Sequence, residues 1–130
     1  TITLKAFDNA GNETTAILTV TRRHPDTQPP TLSIVSPANN STTFDQQVTI
    51  SGTAIDEGDG ATGVASVLVN GNAANYNPAT GQWTANVTLN EGNNTITAVA
   101  ADNAPTPHQA QAQIQVTRLK TEIPTLVVTS

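Results

Sequence analysis

His24 and His108, together with a scatter of aspartates and asparagines, are the side chains of this chain able to move a proton or hold an ion. The two histidines lie far apart, one in a linker and one in a loop. Neither has a cysteine nor a serine-plus-acid context that would make a nucleophile and its base. Catalysis is therefore not expected. The acidic loops offer the one chemical alternative. Asp102 and Asn103, Asp8 and Asn9, the linker residue Asp26, and the group Asp56, Glu57 and Asp59 could supply oxygens to Ca²⁺, which takes about six to eight such ligands. The competing reading of the same residues is that Asp and Asn favour turns, where their side chains bond to local backbone.

Segments with a period of 2 must position these groups. Leu32 and Ile34; Val48, Ile50, Gly52 and Ala54; Val67 and Val69; Trp83, Ala85, Val87 and Leu89; Ile96, Ala98 and Ala100; and Ala110, Ala112, Ile114 and Val116 each fall on one side of an alternating run. That alternation is the mark of strands with one buried face, and no segment shows helical spacing. Trp83 shares its side with Ala85, Val87 and Leu89 and is expected in the core, not on a glycan-binding surface. Turn chemistry separates the runs: SPANN, DEGDGATG, NPATG, NEGN, DNAPTPH, and Asn70-Gly71, a dipeptide suited to a type I′ hairpin turn. Seven short strands, antiparallel in appearance, predict an all-β, immunoglobulin-like sandwich.

The chain also repeats itself. TITLKAFDNA at its start matches TITAVAADNA from Thr95, AILTVTRR matches AQIQVTRL, and PPTLSIVS is echoed by IPTLVVTS. The period is about 94 residues, a whole domain in length. The division that follows is residues 1–23 as the closing hairpin of one repeat, 24–119 as a complete unit, and 120–130 as the first strand of another. The incomplete ends cannot bury an inner face alone. They are expected to meet neighbouring repeats, or copies of the same chain in a dimer or filament, by edge pairing or strand exchange.

Composition limits the partners. The chain has 130 residues, a formal charge of -5, 3% aromatics and no cysteine. Its few basic residues, Lys5, Arg22, Arg23, Arg118 and Lys120, form no stripe, so a nucleic-acid partner is not expected. No apolar run approaches the roughly 18 residues of a membrane span. Without thiols, neither disulfides nor thiolate metal sites are available.

Residues from Pro29 to Arg118, in the blocks PPTLSIVSPANNSTTFDQQVTISGTAID, GVASVLVNG, TGQWTANVTLNEGNNTITAVAADNA and AQIQVTR, resemble the bacterial Ig-like repeats of the glucodextranase B-domain type. The resemblance implies an antiparallel sandwich in a large secreted or cell-surface bacterial protein, acting as stalk, spacer or filament segment. It also allows a glycan- or protein-binding accessory module in an adhesin or polysaccharide hydrolase. The stretch AADNAPTP resembles a cadherin strand end, which implies Asp102 at a domain junction where Ca²⁺ could stiffen the linker. DEGDGATG is longer than the usual loop of the B-domain type, and PTPH stands where GN is usual.

Overall fold

The computed structural model describes residues 1–19 and 24–120. Two bodies are present in them: a hairpin near the start of the chain and a β-sandwich. The hairpin joins β1 (Ile2–Phe7) to β2 (Glu13–Leu18). The sandwich is built from β3 (Thr31–Ser36), β4 (Ser41–Thr43), β5 (Gln47–Ile55), β6 (Val64–Val69), β7 (Asn72–Ala73), β8 (Asn75–Asn77), β9 (Gln82–Thr88), β10 (Gly92–Asp102) and β11 (Gln109–Arg118). One sheet has the order β4-β11-β10-β6-β7 and the other the order β3-β5-β9-β8. Among the described residues there is no helix, and so none that could cross a membrane.

The core lies between the two sheets and is filled by the alternating residues of each. Ile50 and Ala54 from β5, Val67 and Val69 from β6, Trp83 from β9, Ile96, Ala98 and Ala100 from β10, and Ile114 and Val116 from β11 are buried together with Leu89. Trp83 is 1% exposed, as its place in the alternation predicts. Its cross-strand partner is Gly52, and the indole lies where a side chain at Gly52 would be. A Cβ there would sit 2.5 Å from Trp83 Cζ2 and 2.0 Å from the Ser33 carbonyl oxygen. The ring is the largest side chain in a core otherwise made of aliphatic residues, and it fits because the facing strand carries hydrogen at that point. Tyr76 packs on the same cluster, and its hydroxyl donates to the Ala54 carbonyl at 3.1 Å. Phe44 lies on the surface, 62% exposed.

Asn70 and Gly71 both take positive φ, 48° and 82°, as a type I′ turn requires. The turn joins β6 to β7, and the Asn70 side chain accepts from the Thr97 amide at 2.9 Å.

Two details depart from the expected arrangement. The sandwich has nine strands rather than seven: six are the alternating runs named above, and β4, β7 and β8 are pieces of two or three residues, too short for an alternation to register in sequence. The pairing is not wholly antiparallel either: β4 runs parallel to the end of β11, with Ser41, Thr42 and Thr43 opposite Val116, Thr117 and Arg118. That contact joins segments some 75 residues apart, and nothing local to either specifies its direction. The echo at residues 123–130 lies outside the described residues.

Candidate functional site

Period 2 in β10 does more than fill the core. Continuing inward through Ile96, Ala98 and Ala100, it delivers Asp102 to the core face at one end of the sandwich, where the carboxylate is 1% exposed. The register with β6 shifts between Ala101 and Asp102, so that Asp102 stands opposite Val64. A bulge of this kind re-aims the end of a strand.

A buried carboxylate needs donors, and the loop after β10 supplies them. Asp102 Oδ1 accepts from the amides of Ala104 and His108 at 3.1 and 2.9 Å, and Oδ2 lies 2.7 Å from His108 Nδ1. Burial alone would push its pKa up. The bonds from the His108 amide, the His108 ring and the Ala104 amide outweigh that, and hold the carboxyl below its ordinary value.

Asp26 arrives from the segment leading into β3. Its Oδ2 takes the Thr62 hydroxyl at 2.7 Å and the Thr62 amide at 3.2 Å, and its Oδ1 takes the Gln28 amide at 3.1 Å. The Thr62 hydroxyl, then the Gln28 amide, lower its pKa against the opposing influence of burial and the nearby Asp102 charge. Asp56 shares the same turn: its Oδ2 accepts from the amides of Thr62 and Gly63 at 3.0 and 2.7 Å. Asn103 closes the far side, its Nδ2 donating to the carbonyls of Thr62 and Gly63, each at 3.2 Å.

Four of the residues singled out in sequence, Asp26, Asp56, Asp102 and Asn103, thus converge on this end of the sandwich, three of them on the single turn Thr62-Gly63. One oxygen each of Asp26 and Asp102 and a ring nitrogen of His108 lie within 4.8 Å of one another. Asp56 Oδ1 is buried without a hydrogen-bond partner. Open clefts flank the cluster, one of about 470 Å³ lined by Asp56, Tyr76 and Asn103, and a wider depression of about 830 Å³ lined by Asp26, Asp59 and Thr62.

Of the four remaining candidates, Asn9 and Glu57 are exposed. Asp59 pairs with His24, both exposed. Asp8 belongs to the hairpin, where its Oδ1 accepts from the amides of Ala10 and Asn12 at 2.9 and 2.8 Å and its Oδ2 from Asn12 Nδ2 at 2.7 Å. The Asn12 side chain is the main reason its carboxyl is held low.

Thr62, Gly60 and His108 also belong to this cluster, and none of them carries a sign of it in the sequence. Gly60, at a φ of 82°, lies against the leading segment so closely that a Cβ would be 2.3 Å from the His24 carbonyl oxygen. A glycine inside a loop far from that segment carries no such signal. His108 was legible only as a residue without a catalytic partner, and its partner proves to be a buried carboxylate six residues earlier.

The sandwich and its loop cluster define an Ig-like module. The chain belongs to the family of glucodextranase domain B, whose model matches residues 30–118. Among solved structures it resembles the fibronectin(III)-like modules of Clostridium thermocellum CbhA, with a TM-score of 0.50 and 15% identity over 97% of this chain and 65% of that one. The chain thus spans less than two thirds of that structure, and the likeness is one of fold. No curated protein matches the chain.

Proposed function

We propose that this chain is a structural segment of a secreted or cell-surface bacterial protein, a spacer that holds the parts on either side of it at a fixed separation, with no catalytic role. The observation that carries this reading is the attachment of the leading segment. Residues 24–28 do not simply enter β3: Asp26 is tied to Thr62 through two bonds, His24 meets Asp59, and Gly60 lets the backbone lie directly against the loop. Each tie comes from the loop DEGDGATG, whose extra length is thereby used on the module's own linker. Prolines at 25, 29 and 30 restrict φ along the same stretch. A linker fastened in this way transmits orientation, which a free one does not.

Backbone ¹⁵N relaxation tests it. Residues 26–28, which follow Pro25 and carry amide protons, should show order parameters near those of β5, about 0.85, and Asp26→Ala should lower them while leaving the sandwich spectrum in place. Values of a free linker in the unaltered chain, or specific saturable binding on a glycan array, would transfer the module to the binding class.

The unpartnered Asp56 Oδ1 favours a second reading of the same end, a Ca²⁺ site to which Asp26, Asp56 and Asp102 contribute oxygens and water the remainder. On that reading, Ca²⁺ at a hundredfold excess over its dissociation constant stabilises the fold by about 2.7 kcal/mol, and Asp56→Asn removes the response. A melting temperature identical in Ca²⁺ and in EDTA eliminates it.

A further inference from the structure

The hairpin formed by residues 1–19 repeats the β10–β11 hairpin in two independent respects and departs from it in a third. The first is register. Ile2, Thr3, Leu4 and Lys5 face Leu18, Ile17, Ala16 and Thr15, while their counterparts Ile96, Thr97, Ala98 and Val99 face Ile114, Gln113, Ala112 and Gln111. Every pair in the first hairpin is the image of a pair in the second.

The second is the connection. The Asp8 amide bonds to the Asn12 carbonyl as the Asp102 amide bonds to the His108 carbonyl. Each aspartate Oδ1 accepts from the amide two residues on and from the backbone amide of that same Asn12 or His108. Each Oδ2 is met by the Asn12 side-chain amide or the His108 ring. The longer second loop keeps the network intact by changing the closing residue.

The third is burial, and here the copies differ. Ile96, Ala98 and Ala100 are 0% exposed and Ile114 7%, whereas Ile2 is 49%, Leu4 60% and Leu18 55% exposed. The apolar face that the sandwich covers with its second sheet lies open on the hairpin.

We infer that the first hairpin is the closing half-sheet of a second Ig-like unit, and that its open face takes the preceding strands of such a unit, a segment of the same kind as residues 30–94. The interface needed is already present once in this molecule. There, β6 pairs along β10, β4 along β11, and Ile50, Trp83 and Leu89 belong to the core cluster that also holds Ile96 and Ile114. The outer edges of β1 and β2 correspond to those two pairings. This inference stands apart from the spacer reading, since a ligand-binding module would carry the hairpin equally well.

The test uses the whole chain with a copy of its own residues 30–94 placed directly before Thr1, which restores the order of strands found in the sandwich. The chain has no cysteine, so single thiols report cleanly. Leu4→Cys stands where the sandwich has buried Ala98, and Thr15→Cys where it has exposed Gln111. Labelling of the thiol at position 4 should slow by at least about 100-fold in the extended protein relative to the original chain, with labelling at position 15 unchanged. Calorimetry gives a second measure without the thiols, since the unfolding enthalpy should roughly double. Equal labelling at position 4 in the two proteins, with no added enthalpy, would overturn the inference. So would a thiol at position 4 already protected in the original chain in proportion to its concentration, which would assign the face to a second copy.

Discussion

Asp102 shows how one carboxylate can be both buried and charged. The alternation of β10 carries it inward, and the loop from Ala104 to His108 folds back to surround it with donors. Because its pKa in the fold lies below the value it has in the unfolded chain, its contribution to stability is complete above the ordinary aspartate range and is lost as pH falls through and below about 4. Asp26 shifts in the same direction and adds to the effect. In EDTA, the melting temperature should therefore be level from pH 7 to about 5 and drop in acid. Asp102→Asn should melt lower at neutral pH and show a shallower acid drop; equal slopes in the two proteins would mean that Asp102 is not among the groups taking up protons. The convergence of Asp26 and Asp56 on Thr62 was not legible in sequence, because turn-forming aspartates look alike until the fold shows which donors they reach.

At the scale of elements, the sandwich depends on the match between β5 and β9. Trp83→Ala should cost about 3 to 5 kcal/mol, read as a lowered urea midpoint. Gly52→Ala tests the same contact from the other strand. Its methyl would meet the Ser33 carbonyl as well as the indole, and backbone yields less than a side chain, so a loss of about 1 to 3 kcal/mol is expected. Unchanged stability in both variants would mean that the ring does not fill the core as described. The long strands and the buried indole were readable because β5, β9, β10 and β11 alternate over 7 to 11 residues, long enough for period 2 to stand out. The short strands were not. Three residues such as Ser41–Thr43 become a strand only because β11 offers an edge beside them.

For the molecule as a whole, the parallel pairing of β4 with β11 decides how a load would be carried. If the chain is drawn out from both sides, the pull reaches β11 from its C-terminal end, while β4 is held through β3 on the N-terminal side. Strands drawn apart along their own length must slide, and the bonds linking Ser41, Thr42 and Thr43 to Val116, Thr117 and Arg118 are then strained together. Had β4 paired antiparallel, the same pull could have peeled those bonds away one after another. A fragment of three residues, invisible as a strand in the sequence, thus works as a shear latch at the margin of the sheet.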